Sequence, residues 1–455
     1  MNKEAPLKND VYFLCSPSLG ILDNWLPVIW RLKEKKDDLK FIIIFPKASH
    51  IDQIHLSNVL IILAARIFDS VVYKSQAGHW LHSISFSQLK GKVKSRKIEW
   101  FATKIINKLT KWRVSRPLSK LIHYVYDKIY KFLRRKELFN WKIAEKNGAC
   151  ILYDVYEDSK LYNKDVIESL KETPKFSIQH GININDGGIV DTSKPVQNVE
   201  TREDVRAYLF SSKERPLYEH KYGIPESLME VVGVPRHSPE WMEFIRLSIL
   251  GQSKEIKSLK NDPIFIISRP GGTDYHPYRR KKKALEAIKQ LAWEDLKKNI
   301  VIKLHPKEKK EGIYEEVFGT ETYGDKWVYS ELHPFVLGKA SAFAISFYSG
   351  VPVDMLALGV PTIEYLDLRE IPECDIDEAL RDKMGHPVLS YRYLELVLGA
   401  SDYDQMKAHA MEIMNDRETV MDRLQAKYNK LFPRIENVNK NIANDILNTI
   451  SKKPE

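Results

Sequence analysis

Only three of the 455 residues are cysteine: Cys15, Cys150 and Cys374, widely separated and odd in number. That excludes a disulfide framework and a cysteine zinc site, and it points to a reducing compartment. Long hydrophobic runs are missing as well. The longest, "VLIILAARIF" from Val59 to Phe68, is half of the roughly 20 residues a membrane-spanning helix needs. The opening "MNKEAPLKND" has no apolar signal region, so the expected location is the cytoplasm, with attachment to the inner face of the cytoplasmic membrane. Internal repeats and low-complexity tracts are absent. No Asp-x-Asp pair falls at a strand end, and His276, His305 and His333 lack ligand spacing, so no metal and no cofactor are expected.

What is present is an ordinary soluble composition, 43% hydrophobic and 29% charged. A chain of this length is too long for one core, so two domains of about 200 residues are the prior. Buried strands alternate with amphipathic helices: "DVYFLC", "LKFIIIFP", "ACILYDVY" (149–156), "KFSIQHG", "VRAYLFSS" and "LMEVVGVPR" in the first half. "PIFIISRPGG", "NIVIKLHPKE", "KWVYS", "AFAISFYSG" and "PTIEYLDL" follow in the second. Wholly apolar strands separated by helices read as parallel sheets covered on both faces. The expected organisation is a Rossmann-like acceptor domain over 1–240, a Rossmann-like nucleotide-donor domain over 241–390, and C-terminal helices over 391–455 crossing back to the first.

The net charge of +10 is concentrated. Between Lys90 and Lys136 there are 16 Lys and Arg but only two acids, Glu99 and Asp127, a local excess of +14 that leaves about −4 for the rest. Trp100, Phe101, Ile105, Leu109, Trp112, Tyr124, Phe132 and Leu133 interleave at helical spacing, which predicts a basic helical insertion within 88–145. A solvated insertion with an ordinary core face is one reading. An anionic membrane surface bound through residues 90–136 is another, since Lys and Arg beside Trp and Phe suit a headgroup layer. No nucleic-acid-binding module accompanies the patch, so no nucleic acid partner is expected.

Candidate chemistry sits at strand ends. In "SFYSGVPVDMLALGVPTIEYLDL", Ser346, Ser349 and Gly350 mark the passage from strand to helix, and Pro352 suits a first helical turn. Hydroxyls beside a helix start can hold phosphate or merely cap the helix. Ser268, Arg269, Gly271 and Gly272 end one neighbouring strand; Lys303, His305 and Pro306 end another. Arg269 can neutralise phosphate oxygens, the glycines allow close backbone approach, and His305 can donate to a leaving phosphate. Glu364 could accept from a ribose hydroxyl. A transfer reaction also needs a base, and Asp154, Glu157, Asp158, His180 and Asp186 in the first half are all eligible.

The ordered set "QHG" (179–181), "VVGVPR" (231–236), "IISRPGG", "IKLHPKE" and "SGVPVDMLALGVPTIEY" resembles bacterial GT-B glycosyltransferases of surface-polysaccharide assembly. The nearest groups are the capsule and lipopolysaccharide enzymes that use CMP-activated sugars of Kdo or sialyl type, and the CDP-glycerol glycerophosphotransferases. The resemblance covers about residues 175–368 and implies an α/β GT-B fold with two Rossmann-like domains facing across a cleft. It implies an enzyme that moves a sugar from a nucleotide-sugar donor to a glycan or lipid-linked glycan acceptor, without metal, with a CMP-sugar favoured. It also implies that His305, Pro306, Ser346 and Ser349 hold the nucleotide. A polyol-phosphate transferase, a nucleotide-sugar 2-epimerase-like enzyme and a non-catalytic assembly component are the alternatives. The sialyltransferase "DDG"-like motif has no exact match; "VYEDSK" and "NINDGG" are the closest strings.

Overall fold

The computed structural model describes residues 8–15, 20–46, 59–74, 81–85, 88, 139–155, 166–182, 200–250, 262–271, 276–305, 308, 312–369, 371 and 380–451. The basic segment 90–136 lies outside these residues, as do Glu157, Asp158, Asp186, Gly272 and Pro306.

The first domain is built on an eight-stranded sheet of β1 (Asp10–Leu14), β2 (Lys40–Phe45), β3 (Ser70–Lys74), β4 (Leu81–Ile84), β5 (Gly148–Tyr153), β6 (Lys175–Ile178), β7 (Val205–Leu209) and β8 (Met229–Val231). The spatial order is β4-β3-β2-β1-β5-β6-β7-β8, parallel throughout except where β3 meets β4. β1 is central and buried along its whole length, which is why its sequence is apolar on both faces. Val11 and Phe13 join a layer with Leu22, Trp25 and Ile29 of helix α1 (Gly20–Lys35), while Tyr12 and Leu14 join the opposite layer. Helix α2 (Val59–Ile67) covers the same face as α1. α3 (Trp141–Asn147) starts at Asn140, whose side chain accepts from the N–H groups of Lys142 and Ile143, and leads into β5. α4 (Arg215–Tyr222) follows β7.

The second domain has a six-stranded sheet, all parallel: β9 (Ile264–Ile267), β10 (Ile300–Lys303), β11 (Trp327–Tyr329), β12 (Phe343–Ser346), β13 (Thr362–Tyr365) and, after a small β14–β15 hairpin (Leu380–Arg381 with Pro387–Val388), β16 (Leu398–Ala400). Its order is β11-β10-β9-β12-β13-β16. Ile264 and Ile266 point to one layer, Phe265 and Ile267 to the other. Its helices include α6 (Tyr278–Gln290), α7 (Ile313–Phe318), α8 (Pro334–Lys339) and α9 (Val351–Ala357), with α5 (Pro239–Leu250) entering from the first domain.

Strand order reverses between β1 and β5 in the first sheet and between β9 and β12 in the second. Such switch points leave a crevice beyond the C-terminal strand ends, where ligands of open α/β sheets bind. Crossing between the domains passes Gly233, at φ +75°, where a Cβ would run into the carbonyl of Pro433. The chain returns through α10 (Tyr403–Asn415), α11 (Arg417–Leu431) and α12 (Val438–Ser451). α12 lies on the first domain: Lys35 Nζ donates to Asn444 Oδ1 at 2.6 Å, and Tyr208 donates to Asp445 Oδ2 at 2.5 Å. One continuous apolar cluster includes Phe13, Ile266, Ile345 and Ile446, so the two domains share a core.

Strands β3, β4, β14, β15 and β16 are additions to the pattern read from sequence. β16 is three residues long with a central glycine, in a stretch that reads as helical; only pairing with β13 makes it a strand. Among the described residues no helix is long and apolar enough to cross a membrane.

Candidate active site

On the first-domain side, Asp154 follows β5 and His180 follows β6, so parallel pairing brings them together. Asp154 is fully buried, and its Oδ2 accepts from the backbone N–H of His180 at 2.8 Å and pairs with Nδ1 of the same ring at 2.6 Å. In the neutral ring, Nδ1–H is then the donor and Nε2 carries the lone pair. The His180 side chain keeps 27% of its surface open, enough for a second molecule to reach it. Helix α1 packs on these strand ends. Asn24 Nδ2 donates to the Gln179 carbonyl at 2.7 Å and Trp25 Nε1 to the Tyr153 carbonyl at 3.2 Å. Gly20 passes so close to the His180 carbonyl that a Cβ would overlap it. Beneath Asp154 lies Glu214, whose carboxyl is pushed up to about 8, by burial first and then by the nearby Asp154 charge.

On the second-domain side, the β9/β12 crevice is bridged by Arg269. Its guanidinium donates to the Tyr348 carbonyl at 2.7 Å and lies 5.0 Å from the centre of the Tyr348 ring. Tyr348 has φ +89°, a strained value for a residue with a side chain. Ser349 Oγ accepts from Val351 N–H at 3.3 Å, at the start of α9. Gly350 lies where a Cβ would stand 3.5 Å from the Tyr391 hydroxyl. Tyr391 donates to the Ile182 carbonyl at 2.6 Å and its ring is 5.7 Å from that of Tyr348. Contacts therefore run without a break from the His180 loop through Tyr391 and Tyr348 to Arg269.

The other residues expected at this edge are placed less uniformly. His305 is half-buried at the end of β10, and its backbone N–H donates to Glu308 at 3.2 Å. Gly271 is described and half-buried. Ser268 is buried and donates to Glu308 Oε2 at 2.7 Å. Lys303 turns to the carbonyls of Leu332 (2.8 Å) and Glu331 (3.3 Å), and burial lowers its pKa. Ser346 and Glu364 face each other in register across β12 and β13, both buried, and among the described residues Ser346 Oγ and Glu364 Oε2 have no hydrogen-bond partner. Burial pushes the Glu364 carboxyl up to about 7, with Arg392 acting in the opposite direction.

Sequence reading overlooks the cluster at the domain junction. Arg236, in a 3-10 turn over Pro235–His237, donates to Asp354 Oδ1 on α9 at 2.9 Å and to Asn24 Oδ1 on α1 at 3.0 Å. His237 Nε2 shares Asp354 Oδ1 at 2.7 Å, and its Nδ1 meets the Tyr428 hydroxyl at 2.8 Å. His333 Nε2 reaches Asp23 Oδ2 at 3.3 Å, binding α8 to α1. Burial works against the Asp354 charge, but Arg236 and His237 outweigh it and hold the carboxyl below the usual range. Two signals in the sequence point here: a lone Asp inside the apolar run "VPVDMLALG" and the Arg-His pair just after the last first-domain strand.

No protein-family model matches this chain, and no curated sequence matches it. Solved structures do resemble it. MnaA of S. aureus, determined with UDP, is 12% identical over 98% of this chain and 99% of its own, with a TM-score of 0.51. The wall teichoic acid polymerase TagF, as its H444N variant, is 10% identical over 97% of this chain and 89% of its own, with a TM-score of 0.53. A UDP-N-acetylglucosamine 2-epimerase is 10% identical over 99% and 98% of the two chains, with a TM-score of 0.52. At such identities the likeness is one of fold, and the fold is GT-B: two Rossmann-like α/β domains facing across a cleft.

Proposed function

We propose that this chain is a glycosyltransferase of cell-envelope polysaccharide synthesis that takes its sugar from a nucleotide donor, with a CMP-sugar of Kdo or sialyl type favoured. The observation that carries this reading is the 2.6 Å pairing of half-open His180 with buried Asp154 at the first-sheet edge. Asp154 fixes the ring tautomer and stabilises the imidazolium that forms, so His180 Nε2 can take the proton of an acceptor hydroxyl. The acceptor oxygen then attacks the anomeric carbon while the bond to the nucleotide phosphate breaks. Arg269 and His305, on the second sheet's side of the cleft, meet the charge that builds on the leaving phosphate. Glu364 and Ser346 offer to a ribose buried oxygens that have no partner among the described residues. Ser268, Gly271, Gly272 and Pro306 complete the proposed donor-nucleotide contacts. The basic segment 90–136 attaches the enzyme to an anionic inner membrane surface, where a lipid-linked acceptor is presented.

A thermal-shift panel of CMP, CDP, UDP and GDP tests the donor site, since a ligand that binds the folded state raises the melting point. The expected result is the largest shift with a cytidine nucleotide, followed by acceptor-dependent release of CMP from the matching donor. One of these neighbours in fold is named as an epimerase, and conversion of a UDP-sugar to its C2 epimer without acceptor would replace the transferase reading. Vesicle co-sedimentation tests the membrane part: binding should require anionic lipid and weaken with salt. Equal binding to neutral and anionic vesicles, or to neither, would make the segment a solvated insertion or an oligomer contact.

A further inference from the structure

Glu308, from the "HPKE" string, uses both carboxylate oxygens at the edge of the second sheet. Oε2 accepts from Ser268 Oγ at 2.7 Å and from the His305 N–H at 3.2 Å; Oε1 accepts from Tyr314 OH at 3.1 Å and pairs with Lys281 Nζ. Its side chain is 1% exposed and that of Lys281 is fully enclosed, with Lys281 also 4.8 Å from the Tyr314 ring centre. A single buried anion thus ties together the loop after β9, the loop after β10, helix α6 through Lys281 and helix α7 through Tyr314.

Burying both charges carries a desolvation cost that well-packed apolar side chains of the same volume would avoid. What the apolar pair could not supply is the set of directional bonds that hold the Ser268 and His305 backbones at a fixed separation. The backbone N–H of Ser268 also donates to the Lys303 carbonyl at 3.1 Å, so the two loops are already neighbours and Glu308 locks their register. Arg269 follows Ser268 directly, and His305 is itself held through its N–H.

We propose that Glu308 is a positioning residue: with Lys281 it braces the β9 and β10 loops so that Arg269 and His305 face one nucleotide phosphate together. This rests on the transferase reading above. Removing only the carboxylate would strand the Lys281 charge and risk unfolding, so the test uses charge-balanced pairs. Lys281→Met with Glu308→Leu keeps bulk and drops every bond. Lys281→Met with Glu308→Gln keeps an amide that can still bond Ser268, His305 and Tyr314. The first pair should fold with a melting point near the parent's yet lose roughly a hundredfold in turnover, the scale of misplacing catalytic groups by about an ångström. The second should regain most of that turnover. Hydrogen exchange at the Ser268 and His305 amides should quicken in the first pair and stay near the parental rate in the second. Equal turnover in the two pairs, or unchanged exchange in the first, would overturn the proposal. If the parent itself transfers no sugar from any nucleotide donor, the transferase reading falls, and the exchange rates alone then decide whether Glu308 holds the loops.

Discussion

Two regions lie a few residues apart on the β12–α9 unit and treat buried polarity in opposite ways. At the domain junction, Asp354 is met by both Arg236 and His237, and Arg236 also reaches Asn24. On the neighbouring strands, Ser346, Thr362 and Glu364 keep side-chain oxygens buried with no partner among the described residues. A matched cluster holds a geometry; an unmatched buried oxygen costs free energy until something pairs with it. The difference separates the part of the molecule that fixes the domains from the part we propose receives the nucleotide.

Breaking the matched side has the largest expected effect. Asp354→Ala leaves buried Arg236 with only Asp23, at 3.7 Å, as its anion and takes the acceptor from His237 Nε2, and should lower stability by about 3 kcal/mol, read from denaturant unfolding. A loss under about 1 kcal/mol would mean that the junction does not depend on this ion pair. The unmatched side should show itself through pH. Glu364 is raised from 4.5 to about 7 by burial, so its protonated form favours the fold. Its contribution is complete below about pH 4.5, declines as pH rises, and is lost above about pH 7. Glu364→Gln removes that slope, and above pH 7 the variant should exceed the parent by up to about 3 kcal/mol. A constant difference between the two from pH 4.5 to pH 8 would count against it.

At the cleft, His180→Ala should reduce turnover by roughly a hundredfold or more. An equal fall in nucleotide affinity and turnover efficiency, with full rate restored at saturating donor, would assign His180 to binding instead. The smallest effect belongs to the surface. Arg215 pairs with exposed Glu226, and Arg215→Ala should cost under about 1 kcal/mol and less still in high salt.

Much of the architecture is legible in the sequence because parallel strands buried on both faces must be apolar throughout. "KFIIIF" and "IFII" are recognisable as such, and the structure makes them β2 and β9. Strand-end polar residues are legible for a related reason: the C-terminal edge is where the chain leaves the core. Their individual orientations are not. Lys303 and Ser346 both end strands, yet one turns its amine to loop carbonyls and the other is enclosed. β16 escapes a sequence reading because its central glycine sits in a stretch that reads as helical, and only pairing with β13 makes it a strand.

The sequence alone determined two α/β halves, apolar strands, and a set of Ser, Arg, Gly, His and Glu residues at strand ends, since local patterning decides what is buried and where a strand stops. Tertiary structure decided the partners. Asp154 and His180 are 26 positions apart and meet because β5 pairs with β6 in parallel. Arg236 and Asp354 are 118 positions apart and meet only because the two domains pack into a common core. No local rule links such residues: their contact depends on strand order and domain packing, which arise from the whole chain burying its apolar surface at once.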